Sequence, residues 1–398
     1  MVMENVAQTM FNCIKYEICR QNEKIVLPEI SARFLAAIYQ LSKAHDVAHL
    51  VGDALNKSGV FENLPSDIDE NERAAISKVK EKFDEQIFTA VYRYENINYE
   101  LERLKETLEE AEIPFIPLKG SVIRKYYPEP WMRTSCDIDI LVPQDYVERA
   151  IEALCLHDFA IELFEQHDVS IISQTNVHIE LHFMLFDWDF QRGVILKNIW
   201  KSGELIAIGN QEYKMTTELF LLYHIYHTAK HFVRGGCGIK PFIDLLIFNQ
   251  TQEYDEEKTL AMLKESGLDV FYNYAKELIN IWFFGKRHNN VTEEMEQYII
   301  QGGVYGSCEQ NIAMAQSRKG GKLHNLLSRV FVSYNHLALN YPSLKKCPIL
   351  FPVYQVRRWC RILFCGGRKA AMNEIKVNKN ITKEEQERAK KLLEDLNL

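Results

Sequence analysis

The stretch IPFIPLKGSVIRKYYPEPWMRTSCDIDILV, residues 113–142, limits the possible folds more than any other. Its first six residues are an apolar run punctuated by prolines, short enough for a buried strand. Gly120-Ser121 follows, and SVIRKYY then reads as helical until Pro128 stops it. A second apolar run, Ile138, Ile140, Leu141 and Val142, encloses Asp137 and Asp139. Side chains alternate along a strand, so these two carboxylates share a face with Cα atoms roughly 6.6 Å apart. Left unpaired they repel, and at least one pKa rises. A hard cation removes that difficulty, because magnesium takes one or two carboxylates and completes its shell with water and phosphate oxygens.

In isolation, two aspartates at this spacing also describe an edge strand facing solvent. The Gly-Ser turn upstream argues for the chemical reading. Glycine lets a ligand approach the backbone, and free N–H groups at a helix start favour phosphate. Ser121 can bond a terminal phosphate oxygen, and Lys119, Arg124 and Arg133 supply positive charge nearby.

This assembly resembles the polymerase-β-like nucleotidyltransferase superfamily: an apolar strand, Gly-Ser, a helix, a strand carrying Asp-x-Asp, and a third carboxylate later. The fuller run LKG…YYP…R…DIDILV is similar to an uncharacterised bacterial nucleotidyltransferase family. The likeness is strongest over 113–142 and continues more loosely through HIELHF and HTAKHF…FIDLLIF. It implies Mg²⁺ (or Mn²⁺) held by Asp137 and Asp139, and a nucleoside triphosphate held by Lys119, Gly120, Ser121 and Arg133. It calls for a third acid, as metal ligand and general base. Glu180 in VHIELHF is the expected one, with Asp187 and Asp189 in FDWDF as competitors. It sets Lys230 and His231 against the nucleotide phosphates, with His182, His227 and Asp244 along the cleft.

Around this core the chain reads as α+β, a small mixed-sheet domain flanked by helical regions. Residues 1–112 have apolar residues at helical spacing, 113–216 alternate short strands and helices, and 217–398 turn helical again. FAIELFEQ, DVSIISQT and VHIELHFML read as three strands, and QDYVERAIEALCLH as an amphipathic helix. TTELFLLYHIYHTAKHFV starts with a threonine cap and Glu218, and Gly235, Gly236 and Gly238 end it. Pro342, Pro348 and Pro352 mark a loop near 341–352.

A net charge of −8 argues against a surface that coats nucleic acid, but not against a local basic site. Residues 311–373 hold eleven Lys/Arg and no Asp or Glu, which suits a solvated or acid-paired face, or a phosphate-rich ligand, acidic partner or lipid headgroup. Nine scattered cysteines without CxxC spacing, no secretory leader and no long apolar span lead us to expect a cytoplasmic protein with reduced thiols and no transmembrane segment. His178, Glu180 and His182 share a strand face and could hold zinc, though no further zinc spacing accompanies them. His224, His227 and His231 form one helical stripe.

The expected reaction is transfer of a nucleoside monophosphate from an NTP to an unidentified acceptor hydroxyl. The acceptor is a small molecule, protein or RNA, and the basic stretch suits an anionic one. A catalytically silent nucleotide- or partner-binding module on the same fold, or a histidine-using phosphohydrolase, are the alternatives.

Overall fold

The N-terminal region folds into α1 (Val2–Ile18), α2 (Ala32–Ala44), α3 (Ala48–Lys57) and the long α4 (Glu70–Glu110). The computed structural model describes residues 2–398 apart from 21–23, 166, 188, 305, 320, 323, 324, 326, 328, 329, 335, 336, 338–340, 342 and 365–367. Asp69 caps α4 by accepting from the Glu72 N–H at 2.8 Å. The first half of α4 buries Ile76, Val79 and Phe83 in a core shared with α1–α3. Its second half buries Ile97, Leu101, Leu104 and Leu108 in a different core, beneath a sheet. One helix therefore serves both the N-terminal region and the α/β unit.

The apolar runs form that sheet. Its strands are β1 (Ile116–Pro117), β2 (Asp137–Leu141), β3 (Ala160–Phe164), β4 (Asp168–Ile172) and β5 (His178–His182), in the order β1-β2-β5-β4-β3. β2 and β5 run parallel, and the other neighbours are antiparallel. Between β1 and β2 lies α5 (Gly120–Ile123), and α6 (Val147–Leu156) follows β2. Period-2 patterning gives the sheet two different faces. Ile138, Ile140, Val142, Val169, Ile171, Ile179 and Leu181 point into the core closed by α4 and by Ala150 and Leu154 of α6. The acids occupy the other face. This is the α+β architecture expected from the sequence.

A hairpin of β6 (Leu205–Ala207) and β7 (Tyr213–Met215) was not anticipated. Its turn is held from outside: Glu109 at the end of α4 accepts from the N–H groups of Gln211 and Glu212 at 3.1 and 3.2 Å. Helices α7 (Thr217–Val233), α8 (Lys240–Thr251), α9 (Glu256–Glu265), α10 (Asp269–Phe284), α11 (Asn290–Gly302) and α12 (Cys308–Lys319) follow. Farther on come α13 (Phe351–Phe364), α14 (Arg368–Asn380) and α15 (Lys383–Asp395). Phe11 of α1 stacks on Trp282 of α10 with centroids 4.6 Å apart, so both helical regions share one core. The proline-marked stretch contains a helical turn, Ser343–Lys346, and a 3₁₀ turn, Pro348–Leu350, while Pro342 lies outside the described residues. Of the basic stretch, Arg329 and the side chains of Lys319, Lys345, Lys346, Arg368 and Lys369 also lie outside them. Among the described residues, no helix is long and apolar enough to cross a membrane.

Candidate active site

The β2–β5 ladder pairs Asp137 with His178, Asp139 with Glu180 and Leu141 with His182. This register puts Asp137, Asp139, Glu180 and His182 on one face. Asp139 is buried, and its Oδ1 accepts from Lys119 Nζ at 2.5 Å and from His182 Nε2 at 2.8 Å. Asp139 Oδ2 takes no hydrogen bond among the described residues. His182 Nε2 is also 3.3 Å from Glu180 Oε2, and its Nδ1 is 3.8 Å from Asp168 Oδ2 on β4. Lys119 Nζ lies 3.7 Å from Glu180 Oε2.

Charge follows from this packing. Burial would raise the Asp139 pKa, but Lys119 and then His182 outweigh it and hold the carboxyl well below the usual range. Burial would lower His182, but its hydrogen bonds to Asp139 and Glu180 prevail and raise it. Asp137 has no hydrogen bond or ion pair among the described residues, and burial followed by the charge of Asp139 pushes it up to about 6. Ligand atoms of Asp139, Glu180 and His182 all lie within 4.8 Å of one another. Two converging carboxylates beside an imidazole are a donor set that fits a divalent cation. Asp137 lies outside that 4.8 Å group, at the solvent end of the strand.

The Gly-Ser turn approaches this face from β1. Its unusual backbone belongs to Lys119, at φ 45° and ψ −121°, which aims the ammonium group at Asp139. A Cβ on Gly120 would come within 3.3 Å of Ser135 Cβ, so the turn lies against the segment leading into β2. Arg124 fastens the two: its Nε donates to the Gly120 carbonyl at 2.8 Å and its Nη2 to Ser135 Oγ at 2.6 Å. Burial, then Arg133, lowers Arg124 to about 10. Ser121 Oγ is buried with no hydrogen-bond partner among the described residues. A phosphate oxygen would satisfy it.

A family model described as an uncharacterised nucleotidyltransferase matches residues 35–284, well over half of the chain. The chain belongs to this family. The membership carries a general nucleotidyl-transfer role and a nucleotide substrate. The match starts in α2 and ends with α10, so helices on both sides of the sheet are part of the family's unit. No curated protein and no solved structure matches the chain.

α7 crosses the open side of the carboxylate face. Tyr223 is buried; burial raises its hydroxyl pKa, and the charges of Lys119, Asp139 and Glu180 act on it. His227 and His231 place their Nε2 atoms 3.0 Å apart. Burial and then neighbouring cations lower both, His231 to about 4. Lys230 Nζ is 3.9 Å from Asp187 Oδ2. His224 instead donates to the Pro241 carbonyl at 2.8 Å.

Two of the sequence candidates pair with each other. Arg133 donates Nε to Asp244 Oδ1 at 2.7 Å and Nη2 to Oδ2 at 2.9 Å, and the Tyr127 hydroxyl donates to Oδ1 at 2.7 Å. This fork fixes the 127–134 connection to α8. The other competitors for the third acid lie apart: Asp187 is buried against Arg234 at 2.6 Å, and Asp189 is exposed beyond it. Sequence reasoning missed Asp168 and Tyr223, and it placed Arg234 beside the histidine stripe without a role. Asp168 alone left a signal, because it precedes β4 residues that alternate with the apolar face.

Proposed function

We propose that this chain is a metal-dependent nucleotidyltransferase that moves a nucleoside monophosphate from an NTP to an acceptor hydroxyl, releasing pyrophosphate. The observation that carries the reading is the pairing of Asp139 with Glu180 across parallel strands, beside an unpartnered Asp137. Asp137, Asp139 and Glu180 would hold the cation, with His182 as a nitrogen donor within reach. Bound there, Mg²⁺ or Mn²⁺ would supply charge neutralisation at the reacting phosphate. Lys119, Gly120 and Ser121 would bind the triphosphate, supported by the unpartnered Ser121 hydroxyl. Lys230 and His231 stand across the face on α7 and would meet its outer oxygens. Arg133, fixed to Asp244, would act by holding the 127–134 connection. Glu180 would accept the acceptor's proton. Its place in register with Asp139 favours it over Asp187, which is committed to Arg234.

A silent binding module is the second reading. It is favoured by Lys119 and His182, which already neutralise Asp139 without a metal. Calorimetric titration with Mg²⁺ and NTP, repeated on Asp137→Asn plus Asp139→Asn, tests binding. Transfer of label from α-³²P NTP to an acceptor separates the two readings, and binding without transfer across a broad acceptor screen would leave only the module.

A further inference from the structure

α7 reaches beyond the carboxylate face. Tyr223, His227 and Lys230, with Arg234 at the C-cap, fall on one stripe of the helix. At 1.5 Å per residue the stripe runs roughly 16 Å from Tyr223 to Arg234. There a cavity of about 720 Å³ opens, lined by Arg234, Gly306, Cys308, Asn311, Arg318 and Glu374 together with Asp189. Its size is that of a small-molecule site.

The glycine run RGGCG that ends α7 shapes one wall. Gly235 (φ +101°) and Gly306 (φ +73°) lie so close that a Cβ on Gly306 would fall on the Gly235 carbonyl, and one on Gly235 would fall on Asn311. Only glycine backbone allows the connection between α11 and α12 to pack here against the end of α7. Arg234 Nη2 donates to Asp187 Oδ2 at 2.6 Å, and Arg318 Nη2 donates to the Asp189 carbonyl at 3.1 Å. One short segment thus holds two guanidinium groups at one cavity. Withdrawal from water and the charge of Arg234 both lower the Arg318 pKa, a cost that a bound anion removes. Guanidinium forks match phosphate and carboxylate oxygens. Asp189 and Glu374 line the same cavity and would accept hydrogen bonds from hydroxyl groups.

We propose that this cavity is the acceptor subsite, and that the acceptor is an extended hydroxylated molecule bearing a phosphate or carboxylate, long enough to span the roughly 16 Å of the stripe. Arg234 and Arg318 hold the anion while a hydroxyl reaches the carboxylate face along α7. In the transfer the acceptor oxygen bonds to the α-phosphorus, and the bond from that phosphorus to the bridging oxygen breaks. Pyrophosphate leaves with the electron pair, and the hydroxyl proton passes to Glu180. The inference rests on the nucleotidyltransferase reading.

Cys308 lines the cavity and is exposed, so its alkylation by iodoacetamide reports occupancy in the folded full chain. Inorganic phosphate is the probe, and peptide mass spectrometry follows Cys308 with exposed Cys155 as the internal control. We expect phosphate at several times its Kd to slow Cys308 alkylation about five-fold, without slowing Cys155. Arg318→Gln, checked by its melting temperature, is expected to lose the protection, and Arg318→Lys to recover part of it. No protection in the wild-type chain, or equal protection in Arg318→Gln, overturns the subsite. Protection in a chain that binds none of the Mg²⁺ complexes of ATP, GTP, CTP and UTP by calorimetry keeps the anion site and overturns its acceptor role. That result would mark the failure of the nucleotidyltransferase reading itself.

Discussion

Lys119 holds a backbone conformation that suits glycine better than lysine, and its ammonium group meets the most buried acid of the face. The two facts explain each other if the strained turn persists because it aims that charge at Asp139. Lysine and a divalent cation then compete to neutralise one carboxylate. Lys119→Met should lower the melting temperature by several degrees, since removing one partner of a buried pair costs about 3 kcal/mol. Added Mg²⁺ should restore most of the loss, and should stabilise this variant more than the wild-type chain. Equal Mg²⁺ responses in thermal melts would place the cation away from Asp139. At this scale the sequence exposed the acids well, because period-2 spacing fixes their face. It read Gly120 as room for a ligand to approach the backbone, and it gave no sign that Lys119 carries the positive φ of the turn. It also could not reveal that Arg133 and Asp244, 111 residues apart, bond each other, because no local pattern encodes a long-range ion pair.

Among elements, the connection from the Gly-Ser turn to β2 is the part most tightly bound to its surroundings. Arg133 and Tyr127 tie it to Asp244 of α8, and His49 of α3 donates to the Met132 carbonyl at 2.8 Å. Thr134 Oγ1 donates to Asp46 Oδ2 at 2.9 Å, and Lys240 joins the same carboxylate at 2.5 Å. Helices from both ends of the chain thereby set the distance between Ser121 and Asp137. Arg133→Met should cost about 3–5 kcal/mol in urea unfolding, because it leaves the Asp244 carboxylate buried and unpaired. Arg133→Met with Asp244→Leu should recover much of that. A double variant no more stable than the single would mean that the fork contributes through shape and not through charge. The five strands were legible because each alternates or runs apolar between turn residues. The β6–β7 hairpin was not, since Glu109 of α4 secures its turn from outside. The change of texture led us to expect a boundary between residues 112 and 113, and α4, which ends just before it, buries residues in both cores.

Over the whole molecule, burial sets a pH limit. His45 and His49 are both lowered to about 4, chiefly by burial, while each donates to a backbone carbonyl. The folded chain keeps them neutral down to about pH 4, whereas the unfolded chain protonates near 6.5. The stability this permits is complete above about pH 6.5 and drains as pH falls through 4. Each histidine should cost about 2 kcal/mol at pH 5 relative to pH 8, and His49→Gln should flatten its share of the slope. An unchanged slope in chemical unfolding of that variant would assign the acid sensitivity to other groups. The family match across 35–284 sets the same scale for function, since the helices that brace the 127–134 connection lie within it. The central claim is that Asp137 and Asp139 make the chain a nucleotidyltransferase. Its most direct test is pyrophosphate release from α-labelled NTP with Mg²⁺ and a panel of hydroxylated phosphates and carboxylates. The wild-type chain should release pyrophosphate with transfer of label, and Asp137→Asn plus Asp139→Asn should be slower by at least about 100-fold while melting as a folded protein. Equal release by the wild-type chain and the double variant would contradict the account.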